Sequence, residues 1–258
     1  MGRLEGRVAI VTGAAHGDRA ALGSHFAKAL AREGAKVVAT DVKNCVSVAA
    51  EIESLCGQGT ALALHADVRD EKSVDAMVAQ TIARYGRLDI LVNNAAAGSN
   101  IDPVVTVDLD VKAWDEIMAT NVRGPFLCIK AAIPAMRKGK YGKIINVGST
   151  TSIFGLPERL HYVTAKGAVH AMTRALAREV GPGGIRINTI AYGLITNPVT
   201  EADFKAHPGK REMMMAKRAL GLDVFADDLV GSLIYLASAD SDAMTGQCLI
   251  VDAGEVLD

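Results

Sequence analysis

Aromatic side chains are scarce in this sequence: one Trp, five Tyr and five Phe stand among 258 residues. Ala, Val, Ile and Gly carry most of the apolar content, a mix that suits a buried parallel sheet. Charge of one sign is not in excess. The formal net charge is −1 and no basic stripe stands out, so no nucleic-acid partner is expected. Long hydrophobic runs are lacking too. The apolar stretches are strand-sized, short of the roughly 18–20 residues of a membrane span, so no membrane partner is expected. The first apolar run leads directly into a Gly-rich turn rather than a cleavage site, which suggests a cytoplasmic location. Four scattered cysteines, Cys45, Cys56, Cys128 and Cys248, form no CxxC pair and no ligand spacing with His. Metal is therefore not expected, and the thiols read as buried or idle in a reducing cytosol.

Short β-branched runs are present, at 7–12, 36–40, 61–66, 90–93, 143–147, 186–190 and 247–251. Each is apolar on both faces, as strands covered on two sides are. Helical windows at 22–33, 73–85, 113–138 and 162–180 separate several of them. The alternation predicts an α/β fold: a single-domain, Rossmann-type, doubly wound parallel sheet of seven strands with helices on both faces. No linker or repeat divides residues 1–258. The stretch 197–221, with two prolines and Met213-Met214-Met215, breaks the rhythm and reads as an irregular substrate lid; a surface loop with a short helix is the alternative.

The first strand runs into Thr12-Gly13-Ala14-Ala15-His16-Gly17, followed by a helix with Gly23 near its start. Glycines let backbone N–H groups approach a pyrophosphate, and a helix N-terminus favours the anion. Asp41 ends the second strand, where a carboxylate accepts from an adenosine ribose and repels a 2′-phosphate, which favours NAD. The alternative is an ordinary turn or cap aspartate. Asp67, after the third strand, is open to the same alternative.

Tyr162 and Lys166 are spaced to share one helix face. A free phenol, with a pKa of about 10, is a poor base near neutrality, and a neighbouring ammonium stabilises its phenolate. A tuned Tyr takes a proton from an alcohol or gives one to a carbonyl. Ser149 ends the fifth strand and meets that helix start at the carboxyl edge of the sheet, where such folds bind ligands. A solvated Tyr/Lys pair is the competing reading until the Gly-rich turn, Ser149 and Asn121 are added.

With those residues in place, the sequence resembles the short-chain dehydrogenase/reductase family over essentially its whole length. The matching segments are the Thr12-Gly13 turn, Asp67, Asn93-Asn94-Ala95, Asn121, Ser149, Tyr162-x-x-x-Lys166 and Val251-Asp252-Ala253-Gly254. The resemblance implies that Tyr162 is the general acid/base, that Lys166 lowers its pKa and binds the nicotinamide ribose, and that Ser149 holds the substrate oxygen. It implies that Asn121 anchors a water linking Lys166 to solvent. Asp67 would meet adenine, Asn93 would support the sheet, and Asp41 would set NAD preference. Gly13, Gly17, Gly23, Val68, Asn94, Ala95, Gly193, Ile195 and Asn197 complete the implied cofactor contacts, with Tyr162 and Lys166. A homotetramer is also implied.

Four departures stand out. Asp18-Arg19-Ala20-Ala21 interrupts the glycine pattern like an insertion of about one helical turn, and Arg19 there is a candidate phosphate contact. Ala96 replaces a glycine, Tyr192 replaces a proline before Gly193, and Asn197 stands where Thr is usual.

The expected function is therefore NAD(H)-dependent hydride transfer between nicotinamide and a secondary alcohol or ketone. Leu156, Tyr192 and the methionines suggest an apolar, cyclic or aromatic substrate, with Thr150, Thr151, Arg159 and His161 also candidate pocket residues. Arg159 and His161 facing solvent is the blander reading. The alternatives are an NADPH-dependent carbonyl or 3-oxoacyl reductase, and a non-catalytic dinucleotide-binding protein.

Overall fold

Strands form where β-branched residues send alternate side chains to two buried faces. In the computed structural model, which describes residues 2–17, 22–98 and 103–257, seven strands result. They are β1 (Val8–Thr12), β2 (Lys36–Asp41), β3 (Ala61–His65), β4 (Ile90–Asn93), β5 (Gly142–Val147), β6 (Ile185–Tyr192) and β7 (Cys248–Val251). They pair in parallel in the order β3-β2-β1-β4-β5-β6-β7. The order reverses between β1 and β4, which opens a crevice at the carboxyl ends of those strands.

The helices are α1 (Leu22–Arg32), α2 (Val46–Cys56), α3 (Glu71–Tyr85), α4 (Val111–Met118), α5 (Gly124–Lys138), α6 (Thr151–Phe154), α7 (Leu160–Val180), α8 (Pro198–Ala206), α9 (Pro208–Lys217) and α10 (Val230–Ala237). On one face of the sheet, Val11, Val37, Val92 and Ile145 pack under Phe26 and Leu30 of α1 and Leu233 of α10. On the other, Ile10, Val38, Leu91 and Ile144 pack under Met77 of α3, Leu127 of α5 and Val180 of α7. Burying each such side chain contributes about 1.5–3 kcal/mol. The sheet, covered on both sides, is the rigid platform for everything at its edge.

Two expectations change in detail. The window 113–138 is not one helix: a π turn at Ala119–Arg123 separates α4 from α5. Residues 197–221 are not irregular either, because they hold α8 and α9. Each starts with a proline at its first position, where the missing N–H costs nothing. Asn197 caps α8 by accepting from the amides of Val199 (3.0 Å) and Thr200 (3.2 Å).

Candidate active site

The glycine turn after β1 is packed against the segment after β4. Thr12 Oγ1 accepts from the amides of Asn94 and Ala95, each at 3.1 Å, and donates to the Val92 carbonyl at 3.3 Å. Asn94 Nδ2 donates to the carbonyls of Thr12 (3.0 Å) and Gly13 (2.9 Å). Gly13 has φ +66°, and a Cβ there would lie 2.7 Å from the Ala95 Cα. A Cβ on Gly23 would lie 2.1 Å from the Gly13 carbonyl oxygen. Both positions thus require glycine, and Gly23 is the close-packing glycine of the turn despite the four extra residues before it. Among the described residues, a Cβ on Gly17 would meet nothing within 4 Å. Asp18–Ala21, including the candidate contact Arg19, lie outside the described residues.

Asp41 stands at the end of β2 as expected. Its carboxylate accepts from the amides of Ala15 (3.2 Å) and Lys43 (2.9 Å), so it is fixed beside the turn. Asp67 is held differently: Arg69 grips both its oxygens at 2.7–3.1 Å and keeps its carboxyl below the usual range. The cap of α3 is Asp70, not Asp67. Val68 is buried, with its side chain against Gly124.

At the carboxyl end of β5 the proton-transfer candidates converge. Ser149 is buried and shares a 2.9 Å hydrogen bond with the Thr151 hydroxyl. Lys166, 3% exposed, donates from Nζ to the Val147 carbonyl at 2.7 Å. That nitrogen lies 5.7 Å from the centre of the Tyr162 ring. Burial holds the Lys166 pKa down, to about 8. The Tyr162 phenol is pushed above its ordinary value by burial, which outweighs a hydrogen bond from Ser149 and the charge of Arg159, both acting downward. Desolvation is the largest influence on the phenol here.

Asn121 sits on the π turn, and its amide is committed to backbone. It accepts from the Ala97 amide at 2.7 Å and donates to the Ala97 carbonyl at 2.8 Å. It thus clamps the segment after β4. Asn197 is also committed, since besides its cap its Nδ2 donates to the Ile195 carbonyl at 3.0 Å. Thr196 donates to Asp223 at 3.0 Å. A Cβ on Gly193 would lie 2.8 Å from Glu255 Oε2, so a side chain there would have to displace that carboxylate. Tyr192 ends β6, and its carbonyl accepts from Thr150 N at 3.1 Å. Burial pushes the Tyr192 phenol well above its ordinary value. Leu156 and Met213 are exposed, whereas His161 is wholly buried and faces no solvent. Neither His161 ring nitrogen has a partner at ordinary hydrogen-bond geometry among the described residues; burial lowers the ring's pKa, partly opposed by the Arg159 backbone.

Sequence reading missed a buried polar chain beneath the site. Asn93 donates to Asn146 (2.8 Å), Asn146 to Thr173 (2.9 Å), and the Thr173 and Thr189 hydroxyls meet at 2.8 Å. This chain ties β4, β5, α7 and β6 together directly below Ser149 and Lys166. The signal was present: Asn146 interrupts the apolar run of β5.

A nicotinamide dinucleotide fits these residues. The Gly13/Gly23 cradle leaves backbone beside the start of α1, and Asp41 flanks it. Among the described residues no three His, Cys, Asp or Glu side chains gather as a metal site.

Comparison with known proteins agrees. A family model described as enoyl-(acyl carrier protein) reductase matches residues 13–255. A 3-oxoacyl-(acyl-carrier-protein) reductase of Thermotoga maritima is 34% identical over 99% of this chain and 100% of its own length. A trans-4-hydroxycyclohexanecarboxylate dehydrogenase of Sinomonas cyclohexanicum is 34% identical, covering 98% of this chain and 94% of its own. The crystal structure of a putative short-chain alcohol dehydrogenase from Sinorhizobium meliloti superposes with a TM-score of 0.87 at 34% identity, over 98% of this chain and 97% of that one. Likeness of that extent in both sequence and fold means that this chain belongs to the short-chain dehydrogenase/reductase family and is an oxidoreductase using a nicotinamide dinucleotide.

Proposed function

We propose that the protein is an NAD(H)-dependent dehydrogenase of a cyclic or aromatic secondary alcohol, running as a ketone reductase in reverse. Asp41 carries the cofactor reading. Its carboxylate is fixed beside the glycine turn by the amides of Ala15 and Lys43. There it offers acceptor oxygens to a ribose diol and a charge against a 2′-phosphate, in a partly desolvated place where like charges clash strongly. The bound nicotinamide supplies the hydride acceptor or donor. The protein's own residues do the rest. Ser149 donates to the substrate oxygen, and Tyr162 takes the hydroxyl proton or returns it to the carbonyl. Lys166 holds the ribose and supplies the charge that favours phenolate once the site is closed. Asn121 positions the segment through Ala97.

The substrate class is supported by the apolar side chains offered by Leu156, Leu194 and the α9 methionines, with 197–221 acting as lid. That segment is anchored at its far end: Arg218 donates to the carbonyls of Leu194 (2.7 Å) and Leu222 (2.9 Å). We place the protein in the cytoplasm as a homotetramer. None of its four cysteines is in a disulfide, and Val111 and Phe126 present exposed apolar surface on α4 and α5. Light scattering in solution and cell fractionation test these two points.

The deciding experiment is kcat/KM with NAD and NADP over a panel of cyclic, aromatic and sugar alcohols. NAD preference and turnover of cyclic alcohols are expected, and Asp41→Ala narrows the gap between cofactors. If NADP use then falls on adding Arg19→Ala, Arg19 contacts the phosphate. Wild-type preference for NADP would promote the 3-oxoacyl reductase reading, which the likeness to the Thermotoga maritima enzyme favours. Cofactor binding without turnover of any substrate would promote a non-catalytic role.

A further inference from the structure

A second chemical cluster lies behind Ser149. Cys248 opens β7, with its sulfur 3.8 Å from Nε2 of His170. His170 stands one helical turn beyond Lys166 on α7. Burial, with the charges of Arg174 and Lys166, lowers its pKa, so the ring is neutral and can accept a proton. The same Nε2 lies 2.7 Å from where a Cβ on Gly148 would sit. Gly148 immediately precedes Ser149, and its amide donates to the Ile190 carbonyl at 2.7 Å.

A cavity of about 320 Å³ opens on this group, lined by Cys248, His170, Arg174, Ser152 and Ile153 among others. Ser152 donates to the Ser149 carbonyl at 2.8 Å. The wall of the cavity is therefore the back of the turn that carries Ser149. A thiol needs a base to become nucleophilic and gains from a nearby cation; His170 is the base beside the sulfur, and Arg174 lines the same cavity. Cys45 and Cys128 lack that setting, and burial pushes both up to about 12.

We propose that Cys248 is a thiol-modification site for a low-molecular-weight disulfide bearing a carboxylate, and that the adduct restrains Ser149. The thiol proton passes to His170 Nε2, and the thiolate attacks one sulfur of the disulfide. A new Cys248 S–S bond forms as the old one breaks. The departing thiolate takes the proton from His170, so Cys248 is oxidised by the half-disulfide that is reduced. The carboxylate pairs with Arg174. The added group fills the cavity and presses His170 onto Gly148, where there is no room even for a methyl group. The inhibitory effect rests on the dehydrogenase reading above; the adduct itself does not.

The test is incubation of the full chain with glutathione disulfide, followed by intact and peptide mass and by NAD-linked turnover. The expected result is a first adduct on Cys248, loss of most activity, and recovery of both by dithiothreitol. Cys248→Ser and Cys248→Ala resist both changes, and Cys56→Ser does not. His170→Gln slows the adduct about tenfold or more, as loss of a general base does. Cystamine, with amines in place of carboxylates, reacts more slowly than glutathione disulfide. A first adduct on Cys56, or a Cys248 adduct whose rate ignores His170→Gln, overturns the site. A stoichiometric Cys248 adduct with full turnover overturns the link to Ser149 while the dehydrogenase reading stands. If the untreated protein turns over no alcohol, that reading fails, and the mass result still decides the site.

Discussion

The two ends of β5 treat a buried lysine in opposite ways. At its start, Lys143, 1% exposed, meets Asp242 at 2.8 Å and Ser241 at 3.0 Å. Beyond its other end, Lys166 is equally buried but is held by a carbonyl, with no carboxylate at ion-pair distance among the described residues. The neighbours follow suit. At the first edge Asp89 accepts from the Val8 amide, Arg7 and Arg87. At the second, His161 keeps two buried nitrogens without partners among the described residues, and the Tyr162 phenol is pushed up by burial. One edge spends its polar groups on holding the sheet. The other leaves them without such fixed partners among the described residues.

The sharpest way to break this contrast is Tyr162→Phe. If the second edge is chemical, turnover falls by about 10²–10⁴-fold. Cofactor binding, followed by fluorescence titration, stays nearly unchanged because the ring still fills its space. Near-normal kcat would end the mechanism. Next comes Asp242→Ala at the structural edge, which strands the Lys143 ammonium. Unfolding in urea should show a loss of about 2–3 kcal/mol, at the lower side of a broken buried pair because Asp242 is partly exposed. The kcat of the folded enzyme should not move.

Lys166→Met should act in reverse, stabilising the protein while disabling it. A pKa depressed from 10.5 to about 8 makes the buried ammonium cost about 3 kcal/mol. Loss of the bond to Val147 gives back about 1 kcal/mol. The folded state binds fewer protons than the unfolded one between those pKa values, so wild-type stability gains as pH rises through that window. The variant's advantage of about 1–2 kcal/mol is thus full below pH 8 and fades above it. Urea unfolding at pH 7 and pH 10 checks this; an advantage that grows with pH would contradict the sign. The alcohol-oxidation pH profile of the same variant should move upward, and an unchanged profile would mean that Lys166 does not tune the phenol. The smallest effect belongs to His161→Leu, which removes two unpartnered buried nitrogens. It should raise stability by about 1 kcal/mol; a loss would point to an ordered water on the ring.

The same contrast marks what sequence could and could not tell. The seven strands were readable because β-branched runs covered on both sides have a plain pattern, and Asn146 and Thr173 betray themselves as polar residues in apolar company. Tyr162 and Lys166 were readable as candidates because their spacing puts them on one helix face, and Ser149 because it follows a strand at the carboxyl edge of the sheet. The split of 113–138 was not, since local helix propensity says nothing about Asn121 reaching back to Ala97. The two helices in 197–221 were signalled by Pro198, Pro208 and the Asn197 cap, but charge and methionine content masked a weak amphipathic pattern. The burial of His161 depends on what packs against α7, which no local pattern contains.

The π turn at Ala119–Arg123 acts as a one-residue frame shift in an otherwise continuous rod. An α-helix advances about 100° per residue, so one extra residue rotates everything downstream by that angle. The faces of α4 and α5 are therefore set in phase by Asn121 and not by their own sequences alone. Regular α-helix through 119–123 with the same number of residues would turn Leu127, Ile129 and Ala132 of α5 out of the core they fill. The chain's tolerance of insertions must accordingly be uneven. At the π turn an extra residue is absorbed locally, whereas one added inside α5 would shift the register between that helix and the sheet beneath it.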